Sequence, residues 1–213
     1  MRRRVAPLCR AGEDGAIEDE AARHALATDA RSDARQASEE RRTIGPVIVM
    51  GVAAAGKSTV GRALAEMAQC SYIEGDDLHP PANIEKMSAG IPLEDDDRWP
   101  WLEEVGRILG ACEGRHGAVA TCSALKRAYR DVLRYTVGPG LRFVHLTGTR
   151  EMLAARMGAR RGHFMPLSML DDQIATLEPP VREDARDFSI AGGPRDIARA
   201  AHAWLSRPSE ERE

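Results

Sequence analysis

The chain of 213 residues is long enough for one domain with a substantial hydrophobic core. Its formal net charge of −3 gives no electrostatic reason to bind nucleic acid or an anionic membrane, and no apolar run reaches the roughly 20 residues that span a bilayer. The four cysteines lack the spacing of metal ligands. They are interpreted as small core residues in a reducing compartment, which predicts a cytoplasmic protein.

The first 43 residues differ in composition from the remainder of the chain. They are rich in alanine, arginine, aspartate and glutamate and contain few large apolar side chains. Such a segment cannot bury enough surface to offset the entropy of ordering. We therefore predict a disordered or weakly ordered extension over residues 1–43, with an interaction arm as the less favoured alternative. Residues 44–207 are predicted to form the folded domain, and residues 208–213 a C-terminal tail.

A phosphate-binding loop (P-loop) is predicted directly after the first apolar strand. Residues 46–50 lead into Gly51-Val-Ala-Ala-Ala-Gly-Lys-Ser, and residues 60–68 then have helical periodicity. Backbone N–H groups at a helix N-terminus form an anion site, so a polyphosphate is the expected ligand. Lys57 would reach the β- and γ-phosphates, and the Ser58 hydroxyl would bind Mg²⁺. The alternative is a glycine-rich turn that precedes a helix without binding a ligand.

Three alanines occupy positions 53–55 of this loop, where a third glycine often helps the chain to curl. Alanine is sterically strained at a positive φ. We therefore expect a steric penalty in the loop if any of these residues needs that conformation.

Apolar strands alternate with amphipathic helices along the chain. The predicted strands cover residues 46–50, 71–74, 118–122, 141–146 and 188–191. The predicted helices cover residues 60–69, 81–88, 98–113, 126–135, 150–160, 167–177 and 194–205. Because such crossovers are right-handed, the alternation predicts an α/β fold with a five-stranded, mostly parallel, doubly wound sheet and helices on both faces. Ligands of such a sheet bind at the carboxyl ends of its strands.

The turn after the second predicted strand carries two carboxylates. Glu74 and Asp76 lie two residues apart, so their side chains are expected on the same side of the sheet. Phosphoryl transfer can use one carboxylate near Mg²⁺ and another near the acceptor hydroxyl, whereas the alternative is an acidic capping turn. His79 precedes two prolines and either donates to a substrate oxygen or fixes the turn.

Arginines at three further places are candidates for contacts with an anion. Arg98 lies in the first turn of a predicted helix, where the helix dipole disfavours a cation unless it faces an anion. Arg130 follows the third strand and could present its guanidinium group to a substrate. A lid over about residues 156–168 could neutralise the transferring phosphoryl group with Arg156, Arg160 and Arg161, with Gly162 as its hinge. In each case the alternative is a solvated helix surface.

Only three of the 30 lysines and arginines are lysines: Lys57, Lys86 and Lys126. In a chain that uses arginine so heavily, a retained lysine marks a place where a compact ammonium group is needed. Lys57 fits this interpretation as the P-loop lysine. For Lys86 and Lys126, an ordinary surface lysine is an equally weighted alternative.

Together these motifs resemble a known family. The P-loop is followed in register by Glu-Gly-Asp-Asp-Leu-His-Pro-x-x-Asn-x-x-Lys-Met (74–87), Gly-x-Pro-Leu-x-Asp-Asp-Asp-Arg-x-Pro-Trp-Leu (90–102), Cys-Ser-Ala-Leu-Lys-x-x-Tyr-Arg-Asp (122–131) and Arg-Gly-His-Phe (161–164). The pattern resembles the bacterial gluconokinases of the P-loop type, relatives of shikimate and nucleoside monophosphate kinases. It covers about residues 45–205, and its stretch 74–102 is far more specific than the P-loop.

The resemblance implies a P-loop kinase fold with a small helical lid. It implies ATP-dependent phosphorylation of the 6-hydroxyl of D-gluconate with Mg²⁺, usually by a homodimer, and a small-molecule substrate rather than a nucleic acid or membrane partner. The family commonly has glycine at the position of Ala54, and some members have aspartate at the position of Glu74. These departures concern the geometry of the loop and the metal site.

The resemblance also implies roles for individual residues. The triphosphate would be held by Gly51, Val52, Ala53, Ala54, Ala55, Gly56, Lys57, Ser58 and Thr59, with Arg156 and Arg160 from the lid. Gluconate would contact Asp76, His79, Arg98, Arg130 and His163. The metal would be bound by Ser58 and Glu74. The catalytic groups would be Lys57, Arg160 and Asp76, with Asp76 as the acceptor-side base or orienting group.

Two alternatives to a gluconokinase stay open on sequence alone. The same scaffold could phosphorylate another small hydroxy acid or polyol, because an arginine that binds a carboxylate does not choose between sugar acids and shikimate. A regulatory module that binds ATP without turnover is the non-enzymatic alternative. It is disfavoured by the joint presence of Lys57, Ser58, Asp76 and the lid arginines.

Overall fold

The computed structural model describes residues 44–112, 117–159, 167–181 and 184–207. Its strands are β1 (Pro46–Met50), β2 (Ser71–Ile73), β3 (Ala118–Thr121), β4 (Arg142–Thr147) and β5 (Ala185–Ser189). Its helices are α1 (Lys57–Ala68), α2 (Pro81–Ser88), α3 (Asp95–Ala111), α4 (Arg127–Val137), α5 (Arg150–Gly158), α6 (Leu167–Thr176) and α7 (Pro194–Leu205), with a 3₁₀-helix at Gly75–Leu78. The predicted extension 1–43, the predicted tail 208–213 and lid residues 160–166 lie outside the described residues.

The five strands form one parallel sheet in the order β2-β3-β1-β4-β5. The central strand β1 pairs with β3 and β4, and Val49 lies opposite both Thr121 and Val144. This order confirms the predicted doubly wound sheet. It also brings the ends of β1 and β3 together, so the P-loop lies beside the segment that follows β3.

Alternating side chains of β1 enter two hydrophobic cores, one on each face of the sheet. Val47 and Val49 pack into the core formed with α1, α5, α6 and α7. Ile48 and Met50 pack into the core formed with α3 and α4. All four side chains are fully buried, and burial of such a side chain stabilises a fold by about 1.5–3 kcal/mol. The helices on both faces thereby fix β1 and the loop that follows it.

Three elements begin three residues earlier than predicted. Helix α1 begins at Lys57 rather than at residue 60. Strand β5 begins at Ala185 rather than at residue 188. The prediction missed its start because the charged residues Arg186 and Asp187 interrupt the apolar pattern. Charged residues are tolerated on an edge strand, and Asp187 accepts a hydrogen bond from His145 at 2.8 Å. Helix α3 begins at Asp95 rather than at residue 98.

The earlier start of α3 follows from the residue that caps it. Glu94, which precedes the three aspartates Asp95, Asp96 and Asp97, is the N-cap, and its backbone N–H donates to Asp97 Oδ2 at 2.9 Å. This contact satisfies one donor that a helix start leaves unpaired. All three aspartates therefore lie in the first turn, where the helix dipole favours negative charge.

The helices of the described residues fall short of what a membrane span requires in length and apolar character.

Candidate active site

The loop between β1 and α1 has the backbone of a phosphate-binding loop. Gly51 must lack a side chain, since a Cβ there would lie 2.8 Å from the backbone oxygen of Leu146. Gly56 precedes α1 with a φ of 96°, and the Lys57 ammonium folds back to within 3.1 Å of Val52 O. Ala54 has a φ of 62°, so the steric penalty expected for this alanine-rich loop falls on one residue.

Arg156, in the last turn of α5, lies against this loop. Its Nη1 donates to Ala55 O at 3.2 Å, and its Nη2 donates to Ile190 O at 2.6 Å. A Cβ on Gly56 would lie 3.4 Å from Nη1. One guanidinium group predicted to meet the nucleotide is thus placed beside the loop.

Glu74, at the end of β2, is held as an anion by three hydroxyl groups. Its Oε1 accepts from Thr121 Oγ1 at 2.5 Å, and its Oε2 accepts from the Tyr72 hydroxyl at 2.7 Å. Burial acts to raise the pKa of Glu74. The hydrogen bonds from Thr121, Tyr72 and Ser58, together with the charge of Arg62, outweigh burial and lower that pKa below its ordinary value.

The two predicted metal ligands, Ser58 and Glu74, are therefore neighbours. A hydroxyl and a carboxylate are hard oxygen ligands of the kind that Mg²⁺ prefers in kinases, where phosphate oxygens and waters complete its coordination. The donor set fits the implied ion.

Asp76 lies in the 3₁₀-helix that follows Glu74, and Gly75 anchors this turn. The Gly75 N–H donates to Thr121 Oγ1 at 3.2 Å, and the Gly75 carbonyl accepts from Trp101 Nε1 at 2.7 Å. A Cβ at Gly75 would lie 1.9 Å from Thr121 O, so the turn can approach β3 only with glycine. The Asp76 side chain itself is exposed.

The charges of three predicted site residues act on Cys122, the first residue after β3. Burial is the main cause that raises the pKa of the Cys122 thiol to about 12. A backbone hydrogen bond at Ala124 lowers it, the charge of Asp76 raises it, and the charges of Lys57 and Arg98 lower it. Asp76, Lys57 and Arg98 thus all act on one buried thiol.

His79 is buried against Trp101. Its ring is stacked on Trp101 with centroids 4.1 Å apart, and its Nδ1 lies 3.4 Å from Asn83 Nδ2. Burial lowers the pKa of His79, with Asp76 opposing and Arg98 reinforcing the shift. His79 is therefore neutral at pH 7, and it can donate one hydrogen bond and accept another.

The first turn of α3, which carries Arg98, is fixed by two ion pairs. Lys126 Nζ lies 2.7 and 2.8 Å from the carboxylate oxygens of Asp95, and Lys86 Nζ lies 2.6 and 2.8 Å from those of Asp97. The scarcity of lysine in the sequence did point to these two residues, but it could not name their partners. Both lysines lie outside α3 and hold its first turn through these ion pairs.

Arg98 itself is partly buried at this turn. Its Nη2 donates to Leu93 O at 3.2 Å, and its guanidinium carbon lies 5.8 Å from the centre of the Tyr129 ring.

Arg130 is placed differently from the other predicted substrate contacts. Its side chain is 1% exposed, and its Nη1 donates to the backbone oxygens of Ala124 and Leu125 at 3.0 and 3.1 Å. These bonds fix the segment after β3 from its buried side. The structure thus gives Arg130 contacts to the chain itself, and its contact with gluconate stays a prediction. Arg160 and His163 lie outside the described residues.

Comparison with known proteins identifies the family of the chain. The family model described as "Shikimate kinase" matches residues 53–188. A probable gluconokinase of Schizosaccharomyces pombe is 48% identical over 153 residues, which cover 68% of this chain and 78% of the relative. The gluconokinase of Gluconobacter oxydans is 51% identical over 135 residues, which cover 63% and 75%. The chain belongs to the gluconokinase family of P-loop kinases.

A crystal structure of a gluconokinase from Sinorhizobium meliloti shares this fold. It is 51% identical, with a TM-score of 0.71, and the match covers 78% of this chain and 94% of the other. The prediction of a P-loop kinase fold and of the family is confirmed.

Three residues that fix Glu74 and Gly75 in the candidate site were not assigned a role from the sequence: Tyr72, Thr121 and Trp101. Thr121 is almost fully buried, accepts from Gly75 N–H and donates to Glu74. A threonine in an otherwise apolar strand was the available signal. Trp101 lies within the motif at 90–102, but that motif assigns it no role, and Tyr72 carried no signal. Each acts through one polar atom of a large side chain.

Replacing Trp101 by phenylalanine should lower the free energy of unfolding by about 2 kcal/mol, because the buried Gly75 carbonyl loses its donor. Trp204→Phe is the matched control. Trp204 is also buried, and its Nε1 has no hydrogen-bond partner among the described residues. Urea unfolding should show that Trp101→Phe is the more destabilising by at least about 1 kcal/mol. Equal losses would mean that the hydrogen bond to Gly75 adds nothing to ring packing.

Proposed function

We propose that this chain transfers the γ-phosphoryl group of ATP to the 6-hydroxyl of D-gluconate, giving 6-phosphogluconate and ADP. The observation that carries the proposal is that the segments bearing Lys57, Asp76 and Arg98 are joined at the end of β3. Gly51 N–H of the P-loop donates to Ser123 O, Gly75 N–H donates to Thr121 Oγ1, and Trp101 Nε1 of α3 donates to Gly75 O. A phosphate-binding cation, a proton-accepting carboxylate and a second cation for the acid are what this reaction requires. Membership of the gluconokinase family supports the choice of gluconate.

On the donor side, the P-loop and Lys57 bind the triphosphate, and Arg156 lies beside the loop to meet its charge. Mg²⁺, held by Ser58 with Glu74 close by, would neutralise charge that builds up on the phosphate oxygens. Glu74 stays ionised at neutral pH because its pKa is lowered. Arg160 is proposed to add a further positive charge from the lid.

On the acceptor side, Asp76 accepts the proton of the attacking hydroxyl or orients that hydroxyl. Arg98 binds the carboxylate of the sugar acid, which also accounts for a cation at a helix N-terminus. Neutral His79 offers hydrogen bonds to sugar hydroxyls. His163 and Arg130 are also proposed substrate contacts. The Arg130 side chain would have to reach gluconate from its buried position after β3.

A kinase of another hydroxy acid is the second candidate. The observation that favours it is the match to the family model described as "Shikimate kinase". An arginine that binds a carboxylate serves either acid, so the choice depends on the hydroxyl contacts. We further propose that the enzyme is a cytoplasmic homodimer, as the family resemblance implies.

Analysis of the product tests the reaction directly. After incubation with Mg-ATP and D-gluconate, ³¹P NMR with proton coupling should show a phosphate ester on C6. An aldonic acid that lacks the 6-hydroxyl, 6-deoxygluconate, is the matched control and should not be phosphorylated. Phosphorylation of the control, or an ester on another carbon, would overturn the proposed position of transfer.

Replacing Lys126 by methionine is expected to raise the KM for gluconate about fivefold and leave the KM for ATP unchanged. The reason is that Asp95 loses its ion pair, so the first turn of α3 holds Arg98 less firmly; partly exposed pairs are worth about 1 kcal/mol. Arg127→Met is the control, since Arg127 is exposed and its ion pair with Asp131 is 3.8 Å long. Steady-state kinetics in both substrates provides the test, and a matching rise in the KM for ATP would contradict it.

A further inference from the structure

Helix α6 reaches the P-loop through the side chain of Gln173. Its Oε1 accepts a 2.7 Å hydrogen bond from the backbone N–H of Ala53, which lies 120 positions earlier in the chain. Because an N–H group can pair only with an acceptor, this contact sets the orientation of the Gln173 amide. Neither the motifs in the sequence nor the roles assigned above include Gln173.

The bonded residue directly precedes the strained one. Ala54 has a φ of 62°, a conformation that alanine disfavours roughly tenfold against the right-handed one. A strained backbone persists only where its surroundings hold it in place. Glycine at this position would adopt such a φ without help.

Contacts hold the loop on both sides of Ala54. Gln173 binds Ala53 N–H on one side, and Arg156 donates to Ala55 O on the other. These two hydrogen bonds come from different helices, α6 and α5. The peptide unit before Ala53 and the one after Ala55 are therefore both fixed by side chains from outside the loop.

Helix α6 is itself firmly attached, so that it can serve as a support. Arg150 of α5 makes a two-pronged ion pair with Asp171, with N–O distances of 2.6 and 2.8 Å. Just beyond α6, the backbone N–H of Glu178 donates to Leu125 O at 2.9 Å. Helix α6, which carries Gln173, is thus connected to α5 and to the segment after β3.

We propose that Gln173 is a positioning residue for the nucleotide: its amide oxygen holds Ala54 in the left-handed conformation that the P-loop needs to bind the triphosphate. The inference rests on the proposed use of ATP. It explains how an alanine is tolerated where the loop requires a positive φ, and it predicts that the need for Gln173 disappears when residue 54 is glycine.

A double-mutant cycle on the full-length protein tests the proposal. Gln173→Met keeps the length of the side chain and removes the acceptor, and it should weaken binding of Mg-ATP about tenfold, measured by calorimetry without any acceptor substrate. Combined with Ala54→Gly, the same replacement should weaken binding less than about threefold. Asp172→Asn, at the exposed neighbouring position of α6, is the control and should leave binding unchanged.

The outcomes separate this inference from the proposed reaction. Unchanged ATP binding in Gln173→Met, or the same tenfold loss with glycine at position 54, would overturn the role of Gln173. If the wild-type protein binds ATP but does not phosphorylate gluconate, the proposed reaction fails, while the binding cycle still decides on Gln173. An equal loss of ATP and gluconate binding in Gln173→Met would indicate a general structural role and would also overturn the proposal.

Discussion

Replacing Asp76 by asparagine should lower kcat by about 10²–10³-fold and leave the affinity for ATP within about threefold of wild type. Asparagine matches the size of aspartate but cannot accept the proton of the attacking hydroxyl at neutral pH. The side chain is exposed on the turn anchored by Gly75, so no buried contact is lost. Stability should therefore stay unchanged, and the loss should appear in turnover alone.

The adjacent residue provides the control for this experiment. Asp77 lies in the same 3₁₀-helix, is equally exposed and carries the same charge. Asp77→Asn should keep kcat within about twofold, since general acid–base effects need direct contact with the reacting group. Coupled ADP release and calorimetric ATP binding measure the two quantities. If Asp76→Asn turns over at more than a third of the wild-type rate, Asp76 has no part in the proton transfer.

Replacing Arg98 by alanine should raise the KM for gluconate about 30-fold with little change in the KM for ATP. Hydrogen bonds to a charged group contribute about 1.5–3 kcal/mol, and the expected change lies within that range. Arg107→Ala is the control, because Arg107 lies on the same helix and pairs with Glu104 on the surface.

The assigned partner of Arg98 can be tested by changing the substrate instead of the protein. Gluconamide is the uncharged analogue of gluconate. Wild-type enzyme should prefer gluconate over gluconamide, and Arg98→Ala should lose most of that preference, because the guanidinium group distinguishes the two through charge. An unchanged preference, or equal effects on ATP and gluconate, would contradict the binding of the carboxylate by Arg98.

The P-loop and the order of strands and helices could be predicted because their signals are local. Apolar periodicity and the Gly51–Ser58 motif depend on neighbouring residues, and both were confirmed in the fold. The strand boundary missed at β5 shows the limit of this approach. Its charged residues fit an edge strand, and only the sheet order shows that β5 is an edge.

The contacts that assemble the candidate site could not be predicted in the same way. Trp101 bonds to Gly75 across 26 positions, Lys126 to Asp95 across 31 and Gln173 to Ala53 across 120. No local pattern specifies such pairs, since they depend on how the helices pack on the sheet. The strain at Ala54 is an intermediate case, because the sequence located the risk within three alanines and the backbone identified the residue.

Coupled ADP release with Mg-ATP against a panel of acceptors tests the central claim most directly. The panel comprises D-gluconate, shikimate, glucose, other aldonic acids and a reaction without acceptor. We expect release with gluconate to exceed that with every other acceptor by at least about tenfold, since a site that hydrogen-bonds its substrate strongly disfavours analogues without those groups. If ATP binds but no acceptor stimulates ADP release, the assignment as a gluconokinase is contradicted. If shikimate stimulates ADP release more than gluconate does, shikimate is the substrate instead.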